Sequence, residues 1–185
     1  MIHDHDRSGW IGASDTAKVM GRWDTKTFER FWREKLGLYN GKANTIAMKA
    51  GTAYEGKILD ALKIKKRDRQ IRIPRLRLRV NLDGEDAIIH EVKTHKSDVF
   101  KVSKAYWQQA QVEMFAAGKP LVIDAYRMED EDYGNWLREI DPCRLSRHPI
   151  EYDARWVKEE YLPRLRYLAR CLKEGRWPDD DRGHV

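Results

Sequence analysis

Apolar and polar positions along this chain change period several times, and each change marks an expected element. Ser14 or Asp15 is placed to cap a short helix running through Val19 and Met20, with Gly21 ending it. Residues 27–36 read as an amphipathic helix closed by Gly37, and residues 45–62 as a longer one carrying Met48, Ala50, Tyr54, Ile58 and Leu62. The period then falls to two. Residues 71–83 and 87–94 read as the strands of a hairpin whose turn is Gly84-Glu85-Asp86. Residues 103–117 return to helix, ended by Gly118-Lys119-Pro120, and residues 121–128 and 135–140 read as strands joined by an acidic turn containing Gly134. A last helix over residues 153–174 stops at Gly175, with Pro178 beyond it and residues 179–185 as a frayed tail. A hairpin, a crossover helix and a second hairpin with helices outside predict an α/β (α+β) layer fold, a central mixed β-sheet flanked by helices, in one domain spanning residues 1–185.

Composition narrows the class. In 185 residues, 41% hydrophobic content with seven Trp and eight Tyr predicts a folded core despite 36% charged residues. No run approaches the roughly 20 apolar residues of a membrane span, and Met-Ile-His-Asp-His-Asp is no signal peptide, so a cytoplasmic protein without a membrane partner is expected. Cys143 and Cys171 lack metal-ligand spacing and are expected to be a reduced pair, and His3, Asp4, His5 and Asp6 read as a mobile terminus. A net charge of +6 is compatible with a polyanionic partner. Basic residues cluster over residues 63–69 and 72–79, where Arg75, Arg77 and Arg79 alternate with Leu76, Leu78 and Val80. Such a strand shows one cationic face, for DNA-backbone contact or as a charged edge that resists aggregation.

Candidate chemistry gathers on the first hairpin. Glu91 and Lys93 point the same way from their strand, and the turn brings Asp83 alongside. Oxygens so grouped could hold a hard divalent cation, with an ammonium near the water to be activated, which is equipment for phosphodiester hydrolysis. The same residues also fit a charged edge strand with cross-strand ion pairs. Three further groups bear on the choice. Glu55 shares a helical stripe with Gly51 and Ile58 that approaches the sheet, or pairs at the surface with Lys49 or Lys57. Gln109 and Gln111, in Tyr106-Trp107-Gln108-Gln109-Ala110-Gln111, could orient a water or contact phosphates, but they point roughly 200° apart on a helix and cannot serve one site equally. Arg7 to Ser14 could cradle a phosphate between a helix N-terminus, the Ser14 hydroxyl and the Arg7 guanidinium, or Ser14 simply caps. Trp107, Phe115 and Trp156 read as core, and a base role for His95 ranks low.

In order, Arg7-x-Gly9-x-Ile11-x-Ala13-Ser14, Gly51-x-x-x-Glu55, Leu82-Asp83-Gly84 with Glu91-Val92-Lys93, and Tyr106-x-x-Gln109-x-Gln111-x-x-Met114 resemble the YqaJ and phage lambda exonuclease group of the PD-(D/E)xK nuclease superfamily. The resemblance runs from Arg7 to about Pro178 and implies a restriction-endonuclease-like core. It implies a Mg²⁺ site, with Mn²⁺ as substitute, at Asp83, Glu91 and the Val92 backbone carbonyl, with Glu55 assisting the metal or its waters. Lys93 would position the attacking water and Gln109 would help order it. Arg7 and Ser14 would receive the 5′-phosphate of the digested strand; Trp10, by its own place between those two residues and not by the resemblance, is a candidate to touch the terminal base. The implied function is a 5′→3′ exonuclease on linear duplex DNA, working in phage or prophage recombination inside a bacterial host beside a single-strand annealing protein. Part of the group forms homotrimers. Two departures stand out: a short turn between Asp83 and Glu91, and Asn81-Leu82 before the acid where Pro or Ser is usual. The alternatives are a structure-specific endonuclease and a catalytically silent DNA-binding or inhibitor protein on the same fold.

Overall fold

The computed structural model describes residues 8–39 and 45–179. A six-stranded mixed sheet forms its centre, made of β1 (Ile11–Gly12), β2 (Lys66–Ile73), β3 (Leu78–Glu85), β4 (Ile89–His95), β5 (Leu121–Arg127) and β6 (Leu145–Ile150). β3 is the hub. β2 runs antiparallel along one edge of β3, while the other edge is shared: β1 lies parallel beside Leu78 and Arg79, and β4 antiparallel beside Gly84 and Glu85. β4 and β5 are parallel, which demands a crossover, and helix α4 (Lys104–Ala117) belongs to it; β6 returns antiparallel to β5.

Helices α1 (Thr16–Val19), α2 (Lys26–Lys35) and α3 (Ile46–Ala61) precede the main strands. On β4 and β5 the side chains of Val92 and Tyr126 meet Ala50, Tyr54, Ile58 and Leu59 of α3, whereas Ile89, Ile123 and Ala125 join the larger core with Ala110 and Met114 of α4. Residues of opposite parity on a strand face opposite ways, so α3 and α4 cover opposite faces of the sheet. Local chemistry fixes where the helices begin. Thr25, Thr45 and Ser103 each cap with a side-chain oxygen, accepting from Phe28, Met48 and Tyr106 N–H at 3.2 Å. Gly118, at φ 65°, closes α4 in the left-handed conformation.

Four expected elements differ. The strand foreseen over residues 71–83 is two strands, β2 and β3, joined by a 3₁₀ turn at Pro74–Leu76 with Arg77 left-handed at φ 48°. Pro74 has no N–H to give a ladder, so Arg75, Arg77 and Arg79 do not share one strand face. The β3–β4 turn is not Gly84-Glu85-Asp86; Gly84 and Glu85 still pair with His90 and Ile89, and Asp86 turns the chain by bonding to Ile88. The second hairpin does not use residues 135–140. Its helix α5 (Asp130–Gly134) leads into a loop, and β6 begins only at Leu145, after Arg144 has bonded buried Asp132 at 2.7 Å. The last helix is composite: α6 (Ala154–Trp156), a π-helical stretch at Val157–Tyr161, then α7 (Leu162–Lys173), where Pro163 begins a fresh helical ladder without an N–H of its own. Asp15 stands at the N-cap position of α1 as foreseen, but its carboxylate gives that helix no hydrogen bond and instead bends back to accept Gly12 N–H at 3.0 Å.

Candidate active site

β3 and β4 stay paired only at the turn and then part. In the fork between them the Asp83 carboxylate accepts the Val92 N–H at 2.9 Å. Glu91 and Lys93 follow on β4, and the Lys93 ammonium is paired with Glu91 Oε1. From α4, Gln109 Nε2 donates to Glu91 Oε1 at 2.6 Å and to Glu113 Oε1 at 2.8 Å. From α3, Glu55 reaches the same cavity of about 290 Å³. Trp10, Ser14, Lys35, Arg79 and Asn81 line its remaining wall.

Negative charge here is under strain. Burial, and then the Glu91 and Glu55 carboxylates, push Asp83 well above the usual carboxylate range, against Lys93 and the Val92 N–H. Burial and Glu91 likewise push Glu113 up. Glu55 rises through burial, Glu91 and Asp68. Burial works against the Lys93 ammonium, but Glu91 and Asp83 outweigh it and hold the lysine charged above its usual range. Glu91 Oε2 and Glu113 Oε2 are buried without a hydrogen-bond partner. Orphaned carboxylate oxygens beside carboxyls that resist ionisation are what a divalent cation would relieve. The residues therefore fit a metal, although among the described residues no three His, Cys, Asp or Glu side chains close on one point as a finished cage. Asp83 and Glu91 would supply the protein oxygens, with backbone carbonyl and water completing the shell.

Most of the foreseen residues meet here: Glu55, Asp83, Glu91, Val92, Lys93, Gln109, Ser14, Trp10 and Arg79 line one cavity. Arg7 lies outside the described residues. Gln111 does not join them. It is fully buried, donating to Glu151 O and accepting from Asp153 N–H at 2.7 Å each, and so ties α4 to the chain leaving β6. Arg75 and Arg77 line a separate groove beside α7. His95 lies in another hollow, against Phe100. Sequence reasoning missed Glu113 and the buried pair of Asp15 and Lys35, 2.8 Å apart. The available signal for Glu113 was a carboxylate one helical turn after Gln109 and flanked by Val112 and Met114.

No protein-family profile and no curated protein matches this chain. Among solved structures, SSO0001 aligns at a TM-score of 0.45 and 12% identity, over 94% of this chain and 78% of that one, too remote to bear on the fold. The alkaline exonuclease LHK-Exo from Laribacter hongkongensis aligns at a TM-score of 0.60 and 18% identity, over 91% of this chain and 93% of that one. The chain thus shares its mixed-sheet fold with a known exonuclease.

Proposed function

We propose that this protein is a metal-dependent deoxyribonuclease that uses Mg²⁺, or Mn²⁺ in its place, to digest linear duplex DNA from 5′ ends. One observation carries the reading: Glu55, Asp83, Glu91, Lys93, Gln109 and Glu113, from α3, β3, β4 and α4, converge on a single cavity in which Glu91 and Glu113 each keep an unsatisfied buried oxygen. Mg²⁺ held by Asp83 and Glu91, with the Val92 carbonyl and Glu55 through water, would supply charge neutralisation at the phosphate and a more acidic water. Lys93, kept charged by Glu91 and Asp83, offsets charge developing on the reacting phosphate. Gln109 is clamped by both carboxylates through its Nε2, which leaves its Oε1 to accept from the attacking water. Ser14, exposed on the same cavity, supports a 5′-phosphate subsite, and Trp10 beside it a contact to the terminal base. In this reading the enzyme acts in the cytoplasm of a bacterial host, in phage-type recombination beside a single-strand annealing protein.

The test is digestion, in Mg²⁺, of linear duplexes ending in 5′-phosphate or 5′-hydroxyl, with a closed circle and Lys93→Ala as controls. Loss of linear DNA alone, faster from 5′-phosphate and slowed about a hundredfold or more by Lys93→Ala, is the expected result. Nicking of the circle would make the protein an endonuclease, and binding without cleavage a silent DNA-binding protein.

A further inference from the structure

A second hollow of about 660 Å³ lies beyond Trp10, which also borders the catalytic cavity. Its charged lining comes from two elements: Arg72, Arg75 and Arg77 at the β2–β3 connection, and Arg166, Arg170 and Lys173 on α7. The three α7 residues recur at i, i+4 and i+7, so they form one exposed stripe, while Leu165, Leu168, Ala169 and Leu172 turn inward. Among the described residues, no carboxylate lines the hollow. Other clusters of cations in the structure are paired with carboxylates: Glu85 gathers Lys66, Arg69 and Lys119, Asp132 takes Arg144 and Arg138, and Asp15 takes Lys18 and Lys35. Among the described residues, Arg75, Arg77, Arg166, Arg170 and Lys173 are held in no ion pair. Five cations left unneutralised on the two walls of one hollow are a binding surface for anions.

We infer that this groove holds the sugar-phosphate backbone of duplex DNA on its way to the catalytic cavity, with Trp10 at the junction. The inference rests on the nuclease reading for what happens beyond Trp10, but the groove binds by its own charges. Two features select the occupant. A ligand touching both hollows must carry charge at repeated intervals along a chain, which a single phosphate or nucleotide does not. The stripe from Arg166 to Lys173 also spans about 10 Å at 1.5 Å per residue, the rise of roughly three phosphates along one strand of a duplex. Arg72, stacked 5.6 Å over the Trp10 ring, joins the groove to the tryptophan.

The experiment measures affinity for a blunt, 5′-phosphorylated duplex in EDTA, across about 50 to 200 mM salt, for the wild type and for Arg166→Gln/Arg170→Gln/Lys173→Gln. All three residues are exposed, and a thermal melt superimposed on that of the wild type verifies the fold. With each lost phosphate contact worth about 0.9 in the salt slope, the variant is expected to bind about tenfold to a hundredfold more weakly, with a log–log slope shallower by roughly 2 to 3. An unchanged slope overturns the inference. So does loss of slope on single strands alone, or a variant that keeps its duplex slope while losing affinity for poly-glutamate, which would mark an acidic protein as the occupant. Arg75→Gln/Arg77→Gln, on the opposite wall, is expected to reproduce the effect. Cleavage is measured separately: groove-dependent binding without cleavage in Mg²⁺ would defeat the nuclease reading alone, and cleavage with an unchanged slope the groove alone.

Discussion

At the scale of single residues, the candidate site is a place where the fold tolerates charge it would rather not hold. Asp83 and Glu113 are pushed up by burial and by Glu91, so the folded state binds their protons more tightly than the unfolded chain does. Ionising them at neutral pH therefore costs stability, and removing the charge recovers it. Asp83→Asn, which keeps an oxygen for the Val92 N–H, is expected to raise Tm by roughly 2–4 °C for each kcal/mol relieved while lowering nuclease activity about a hundredfold or more. Adding Mg²⁺ should raise Tm for the wild type but little for the variant. Calorimetry with and without the cation decides it; an Asp83→Asn that melts lower than the wild type would sink the idea. Asp83, Glu91 and Lys93 were legible in the sequence because strand alternation is local. Glu113 was not, because its role depends on the face that α4 turns toward β4, and that is settled by packing several strands away.

At the scale of elements, helix boundaries were legible where chemistry is written at the ends, as with Thr45, Ser103 and Gly118. The strands misled where charge alternation imitated a continuous ladder through Pro74, and where β6 offered only Leu-Ser-Arg-His-Pro-Ile as its signal. Two substitutions test the corrected elements. Gln111→Ala strands Glu151 O and Asp153 N–H, and is expected to cost about 1–3 kcal/mol in urea unfolding while leaving the cleavage rate at saturating DNA unchanged. A fall in that rate with stability intact would return Gln111 to the DNA-contacting set. Gly84 lies within β3 because the sheet there meets α3 closely: a Cβ would sit 2.7 Å from Leu59 Cδ2 and 3.0 Å from Ile64 Cγ2. Leu59 Cδ2 is a side-chain end that can yield, while Ile64 Cγ2 sits on a branched Cβ and gives way less readily, so Gly84→Ala should cost about 1–3 kcal/mol, reduced by the roughly 0.4–1 kcal/mol that alanine gains by restricting the unfolded chain. Equilibrium unfolding reads the difference, and a neutral result would mean that α3 shifts freely on the sheet.

At the scale of the molecule, the sequence disclosed an excess of +6 but not its distribution. Folding sorts the charges into a paired frame and a strained site, and the two respond to pH in opposite senses. Burial would raise Glu85, but hydrogen bonds from Lys66, Lys119 and Arg69 outweigh it and hold the carboxyl at about 2. Asp132 is lowered in the same way, burial being outweighed by the Glu129 N–H, Arg144 and Tyr54. A depressed folded pKa gives stability that is complete above the unfolded value near 4 and is lost as pH falls toward 2. For Glu85 that is on the order of 1–2 kcal/mol, since Lys66 and Arg69 are well exposed and screened. Asp83, Glu55 and Glu113 have raised pKa values, so their contribution is complete below about 4 and is lost as pH rises through the folded values. The metal-free protein is therefore expected to be most stable on the acid side of neutrality, above about pH 4, with separate causes for the fall on either side. Tm measured against pH in EDTA should show the maximum; Glu85→Gln should flatten its acid limb and Asp83→Asn its neutral limb. Mg²⁺, which favours the ionised carboxylates, should move the maximum upward. A curve in EDTA that rises steadily through pH 8 would show that the site carboxylates carry no strain, and would remove the physical reason for placing a cation there.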